Sequence, residues 1–315
     1  MKPVEWILDT ASPRLDAVVR ARLDWSHKRT RDAIRTGKVT VNGARETDIG
    51  AAVPARAKLR LDMAAPDPRR TEPMGVRLVF RDPSILVIDK PAGLLSTPAP
   101  GREEDPTALA AAQLLVKGPA RPKVVHRLDM ETSGLMVFAR NVPTTRALRA
   151  MMDAHEVRRI YRAVVHGRPE QPEGMISSML VRDAGGGRRG SRPGTFKLRP
   201  LRTPDPGPMP GSGKLAITRY EVKGGNDTRS ALEVRLRTGR THQIRIHLAE
   251  LGCPLVGEHV YAMPDGAGHR QALHAAVLAF KHPMTGEALH FESAWPEDLA
   301  DVTPCPRAWT TTRSR

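Results

Sequence analysis

The chain has 315 residues, 40% of them hydrophobic, enough for one packed domain and a smaller companion. Its formal net charge of +16 and pI near 10.6 predict a polyanionic partner, nucleic acid before membrane, because no apolar run approaches the ~20 residues of a bilayer span. Its two cysteines, Cys253 and Cys305, exclude a disulfide framework and a zinc knuckle, and Met1 to Thr10 lack the apolar stretch of a secretory leader, so a reducing cytoplasm is the expected compartment.

Residues 12–61 form a small α/β module in the sequence pattern. Arg14-Leu15-Asp16 opens a helix with Ala17, Val18 and Leu23 on its apolar face. Ser26 is the expected N-cap of a second helix that runs to Arg35, with Gly37 as its stop. Lys28, Arg31 and Arg35 then share one helical face. Lys38-Val39-Thr40-Val41 alternates as a strand and ends in the turn signal Asn42-Gly43. This order, helix, basic helix, then Gly-Lys-Val-Thr-Val-Asn-Gly, resembles the small RNA-binding domain known from a ribosomal small-subunit protein, the S-four domain. The resemblance implies that Lys28, Arg31, Arg35 and Lys38 bind RNA. It departs from the pattern at Val53 to Lys58, which lack the usual Gly-Asp before the last strand.

Residues 62–75 are rich in proline and arginine and read as a linker. A large domain is expected over 76–297, followed by a tail, 298–315. Strands are expected at Arg77–Phe80, Leu86–Ile88, Leu135–Ala139, Tyr161–Val165 and Leu232–Leu236, each rich in β-branched or aromatic residues. Helices are expected at Pro106–Leu115 and Val142–Ala154. The fold class is therefore α+β. Residues 183–213 break the pattern: they are dense in glycine, proline and arginine, with only Asp183 and Asp205 as acids. This composition is not expected to pack. It is either a disordered surface loop or a basic arm that orders on RNA phosphates.

Chemistry concentrates between Val124 and Val137. Two apolar runs flank His126, Arg127, Asp129 and Glu131, with Thr132-Ser133-Gly134 to turn the chain. A polar loop held between strands is a common place for catalytic groups. A second segment, Thr238 to Leu248, holds Arg240, His242, Arg245 and His247. Thr241 is the expected cap of a helix burying Ile244, Leu248 and Leu251, with Gly252 as the stop and Arg245 beside the buried face. His242 and His247, five apart, point in different directions and are expected to be structural hydrogen-bonders rather than metal ligands.

Together these segments resemble the RluA-type pseudouridine synthases over residues 76–297. Asp89 to Pro98 looks like the family's first block, and His126-Arg127-Leu128-Asp129 with Thr132-Ser133-Gly134 like its signature. Arg159 to Val164 carries the family's tyrosine, Gly239 to His247 is the basic block, and Leu273-His274-Ala275 with His282-Pro283 closes the series. Asp89 stands where Asn is usual, Glu258 where Asp is common, and Arg159 where Lys is common. The resemblance implies a mainly antiparallel sheet and an isomerase that turns uridine into pseudouridine. Asp129 is its catalytic carboxylate, as nucleophile at C1′ or as base at the 2′ position. Arg245 is the cation that keeps Asp129 charged, and Tyr161 lies against the flipped uracil. Arg127, with His126 and Arg240, binds RNA and fills the gap left by base flipping. The reaction involves neither redox nor phosphoryl transfer, so no cofactor and no metal are expected.

A non-catalytic RNA-binding protein would explain the charge and the small module, but not Asp129, Tyr161 and Arg245 together. A glycosidase or glycosylase needs two facing carboxylates, and Asp129 and Glu131, two apart on an extended chain, point to opposite faces. Family members with an S-four domain mostly act on ribosomal RNA. Large-subunit ribosomal RNA is therefore the expected substrate, ahead of tRNA, and a monomer the expected state.

Overall fold

The computed structural model describes residues 3–65, 72–116, 121–207, 210–263 and 268–304. Part of the expected linker, 66–71, and residues 305–315 of the expected tail lie outside the described residues. Contacts divide the chain into two units, Met1–Gly75 and Val76–Arg315.

The first unit holds β1 (Val4–Ile7), α1 (Leu15–Leu23), α2 (His27–Arg35), β2 (Val39–Val41), β3 (Ala44–Glu46) and β4 (Lys58–Leu61). It begins ahead of residue 12, because β1 pairs antiparallel with β4 to give the sheet order β1-β4-β2-β3. α1 buries Leu15, Val18 and Val19, the i, i+3, i+4 spacing of one helical face. Ala17, expected on that face, is exposed, because it lies about 100° around the helix from Val18. Ser26 caps α2 by accepting a hydrogen bond from the Arg29 amide at 3.3 Å. Thr30, Ala33 and Ile34 face inward, which leaves Lys28, Arg31 and Arg35 exposed. Asn42 and Gly43 both take positive φ, 51° and 82°, in the tight turn that joins β2 to β3.

The second unit is built on β5 (Arg77–Arg81), β6 (Ile85–Lys90), β7 (Lys123–Val124), β8 (Ser133–Ala139), β9 (Arg158–His166), β10 (Glu173–Val181), β11 (Gly190–Ser191), β12 (Lys197–Arg199), β13 (Lys214–Gly225), β14 (Arg229–Leu236), β15 (Leu273–Lys281) and β16 (Ala288–Glu292). They form one sheet with the main order β11-β10-β13-β14-β9-β15-β8-β6-β5. Pairing is antiparallel except where β15 meets β8, at His274 with Ser133 and Ala275 with Gly134. Among the described residues three α-helices accompany the sheet: α3 (Ala108–Leu115), α4 (Val142–Asp153) and α5 (Gln243–Glu250). Thr107 caps α3 and Asn141 caps α4. Among the described residues no helix is long and apolar enough to cross a membrane.

Successive side chains of a strand point to opposite faces, and both faces of the middle strands are covered by a core. In β8, Met136 and Phe138 join one core with Leu86 and Ile88 of β6, Tyr161 of β9 and α3. Leu135, Val137 and Ala139 join another with Ile85, Val87 and Leu148 of α4. Packing also continues past residue 297. Leu299 and Val302 are buried against Val164, Val256 and Ala272, so the first residues of the expected tail belong to the domain.

The described part of 183–213 packs, contrary to its composition. β11 and β12 both pair with β10, and Phe196 and Leu198 lie against the main core. Ser191 binds Glu250 of α5 through its amide at 2.8 Å and its hydroxyl at 2.5 Å. Arg192 donates to the Pro210 and Ser212 carbonyls and closes the excursion. A few apolar side chains on β-paired backbone are enough to anchor the segment, because most of its glycines and prolines fall outside β11 and β12.

Candidate active site

Asp129 sits in the loop 125–132 between β7 and β8, and the loop backbone is tied down almost residue by residue. The Ser96 hydroxyl accepts from the Leu128 amide at 3.0 Å and donates to the Leu128 carbonyl at 2.6 Å. The buried Lys90 ammonium donates to the carbonyls of Pro91, Leu94 and Met130 at 2.9, 2.8 and 2.9 Å. Burial, with Arg270 adding and Asp129 opposing, pushes Lys90 down to about 7. Arg270 donates to the Glu131 carbonyl at 3.0 Å and the Ser133 hydroxyl at 3.1 Å, and is itself held by Asp298 at 2.6 Å. Gly134 then follows with φ of 114°. A Cβ there would come within 2.3 Å of the Ala275 carbonyl oxygen, so only glycine lets β8 approach β15 this closely.

Arg245, in the first turn of α5, faces this loop. Its Nη1 lies 3.8 Å from Asp129 Oδ2, and His242 Nε2 lies 3.9 Å from Asp129 Oδ1. The Arg245 side chain is 6% exposed and forks onto Glu258, with Nε and Nη2 donating at 2.8 and 2.9 Å. Burial pushes the Glu258 carboxyl up, but the Arg245 hydrogen bonds and the Val260 and Tyr261 amides hold it below its ordinary range. Burial likewise opposes the Arg245 charge, but the Glu258 hydrogen bonds together with the nearby negative charges of Glu258 and Asp129 hold its pKa above the ordinary value. Two donors on Glu258 fix the plane of the guanidinium and leave Nη1 directed at Asp129. Tyr261 completes the cluster, with its ring 5.2 Å from the Arg245 guanidinium carbon and its hydroxyl 2.7 Å from His242 Nδ1.

The local helix start differs from expectation. His242, not Thr241, occupies the N-cap position, with a left-handed φ of 57° and no side-chain cap bond. The Gln243 side chain does the local tethering instead, accepting from the Arg240 amide at 3.0 Å and from the Thr238 hydroxyl at 2.7 Å. That kink turns the His242 ring toward Asp129. His247, by contrast, is fully buried between Ser178 and Thr218 hydroxyls at 2.9 and 2.8 Å, and burial lowers its pKa to about 3.

One cavity of about 490 Å³ is lined by Asp129, Tyr161, His242 and Arg245, and by Arg127 and Arg240 toward solvent. Tyr161, on β9 between Val234 and Ala275 of the flanking strands, is 6% exposed. Burial raises its hydroxyl pKa, so the phenol stays protonated. His126 also lines the cavity, but its Nε2 accepts the Val137 amide at 3.1 Å, and burial followed by Arg159 drives its pKa to about 3. It is a neutral brace of the loop in this geometry. Lys28, Arg31, Arg35 and Lys38 belong to the first unit, where Lys38 donates to the Ala65 carbonyl. Sequence reasoning passed over the Glu258–Tyr261 support. The one signal available was the acid after Gly257, which, with Arg245 already singled out, offered it a partner.

The family model described as RNA pseudouridylate synthase matches residues 84–250. The ribosomal large subunit pseudouridine synthase D of Zymomonas mobilis is 33% identical, over 94% of this chain and 92% of its own. The protein of the same name from Pseudomonas aeruginosa is 37% identical, over 91% and 89%. The solved structure of human RNA pseudouridylate synthase domain containing 1 shares the fold, with a TM-score of 0.53 at 22% identity over 70% of this chain and 83% of that one. The class these findings define is an RNA-modifying isomerase. This chain belongs to the RNA pseudouridylate synthase family, whose members convert uridine in RNA to pseudouridine.

Proposed function

We propose that the chain isomerises uridine in large-subunit ribosomal RNA, with Asp129 as the group that opens the N1–C1′ bond. The observation that carries this is the Asp129 carboxylate facing the Glu258-fixed Arg245 guanidinium at 3.8 Å inside a cavity that also holds Tyr161. Acting as nucleophile at C1′ or as base at the 2′ position, Asp129 needs its negative charge, and the Arg245 guanidinium faces it. The target base must first leave its stack. Arg127, exposed at the cavity mouth, fills the gap in the RNA, and Arg240 holds phosphate. His126 serves RNA binding indirectly, by tying the chain just before Arg127 to the Val137 amide of β8. The Tyr161 ring packs on the freed uracil as it turns to present C5, and its hydroxyl assists loss of the C5 proton.

The ribosomal substrate is supported by the names of the relatives and by the first unit, which we read as an S-four RNA-binding domain gripping RNA with Lys28, Arg31, Arg35 and Lys38. A second basic module favours a large folded RNA over a short stem. The working state is a cytoplasmic monomer. The test is pseudouridine mapping on large-subunit ribosomal RNA and on bulk tRNA after incubation with the protein. Pseudouridine at defined ribosomal positions is expected. Modification of tRNA alone would overturn the substrate, released uracil would make the protein a glycosylase, and a gel shift without conversion would make it a binder.

A further inference from the structure

The catalytic cavity extends past the groups that the isomerisation uses. Beyond Arg127 its wall is made by Met152, Asp153 and His155 at the end of α4, by Arg159 at the start of β9, and by Asp205 and Pro206 from the 183–213 excursion. Two features mark this wall. His155 takes a left-handed φ of 60°, unusual for a residue other than glycine, which turns the chain at this wall. His155 Nδ1 and Arg159 Nε are buried without a hydrogen-bond partner among the described residues. Buried polar atoms are nearly always satisfied, so two orphans in one cavity wall point to a polar ligand.

Asp205 is held in place from two sides. Arg237 Nε lies 2.6 Å from its Oδ2 and Arg219 Nη1 2.8 Å from its Oδ1. Arg219 also donates to the Leu201 and Thr203 carbonyls at 3.2 and 3.0 Å, so the segment carrying Asp205 is tied to β13. Burial pushes the Asp205 carboxyl up, but the two arginines keep it below its ordinary range. It is therefore a rigid acceptor with no proton to donate. Met152 and Pro206 offer apolar faces for a flat ring, and Arg127 and Arg159 provide charge for a phosphate.

We propose that this end of the cavity is a second nucleotide subsite, which takes the residue adjoining the target uridine in the RNA, with Asp205 selecting its base. The proposal rests on the uridine-isomerising function. An acceptor-only carboxylate pairs with the exocyclic amine of cytosine, adenine or guanine. Uracil offers it only the N3–H, flanked by two carbonyl oxygens that the carboxylate repels. The subsite thus favours an amino-bearing neighbour over uridine.

The experiment uses the full chain and a pool of stem-loop transcripts built on the mapped target, with the nucleotide on each side of the uridine randomised. After partial conversion, the neighbours in modified molecules are counted. Wild-type protein should favour an amino-bearing base over uridine on one side by about tenfold. Asp205→Asn keeps the shape and one oxygen for the arginines but adds donors, and should reduce that preference severalfold. His155→Asn leaves the Asp205 ion pairs intact, tolerates the left-handed φ, and should move the same preference. No neighbour preference in the wild type would overturn the proposal. So would variants that convert every member of the pool more slowly in equal measure, since Asp205 would then only anchor Arg219 and Arg237. A wild-type protein that converts no member would refute the underlying function itself, a result distinct from conversion without preference.

Discussion

Two sets of cations in this protein live under opposite conditions. Lys28, Arg31 and Arg35 are exposed along α2 in the first unit, whereas the Arg245 side chain in the second is 6% exposed and forked onto Glu258. An exposed cation keeps its hydration and its rotamer freedom, and salt screens it. A buried guanidinium loses hydration and survives only with a partner, but it gains direction. The +16 charge therefore speaks to RNA affinity, while the placement of a single buried charge speaks to chemistry. Each set should fail in its own way when removed.

Between the two sets of cations, the larger effect is expected at Arg245. Arg245→Ala leaves Asp129 without its cation and Glu258 buried and unpaired. Single-turnover rates at saturating RNA should fall by on the order of 10²-fold or more, and stability by about 3–5 kcal/mol. The double change Arg245→Met with Glu258→Leu should recover much of the stability and none of the activity. An unchanged rate with weaker RNA binding would make Arg245 a phosphate contact and erase the contrast with α2.

Removal of residues 1–70 should act through tethering. Activity on long ribosomal RNA fragments should drop by on the order of 10²-fold, with a much smaller loss on a short stem-loop. Equal losses on both would show that the first unit supports the fold or the chemistry instead. A milder version, Lys28→Ala with Arg31→Ala and Arg35→Ala, should weaken binding. It should also lower the slope of log affinity against log salt by about 1 for each phosphate that is no longer neutralised. The single-turnover rate at saturation should not change.

How visible these two regions were in the sequence follows the same division. The 125–132 loop was legible because its chemistry lies within ten consecutive residues between two apolar runs, and the strands around it are rich in β-branched and aromatic residues. The α2 face was legible because helical spacing is local. Arg245's support was not, since Glu258 is thirteen residues on and acquires meaning only when α5 and the following turn pack together. β10, β13 and β15 also went unassigned. β15, with its Ala-rich Leu273–Lys281, carries no alternation, because it is buried on both faces through most of its length. The excursion at 183–213 misled by composition: Phe196 and Leu198 are too few to stand out among its glycines and prolines, yet they suffice once β10 supplies the backbone partners.

The last effect is on stability alone and concerns Lys90, a buried cation that belongs to neither set. The unfolded chain holds its proton up to the ordinary value of 10.5, the folded chain only to about 7. Between these values unfolding takes up a proton, so this residue makes stability rise with pH from 7 to 10.5. Lys90→Met should flatten that rise in denaturant titrations across the range. An unaltered pH profile would mean that the three carbonyls keep Lys90 charged throughout.

In the proposed mechanism Asp129 is the group on which the chemistry turns, and Asp129→Asn keeps the shape of its side chain while removing the reacting charge. Pseudouridine formation on large-subunit ribosomal RNA should then vanish in single-turnover assays, while RNA affinity stays within a few fold of wild type, because the exposed cations of both units are untouched. Substantial pseudouridine formation by Asp129→Asn would contradict the assignment of Asp129 as the catalytic carboxylate.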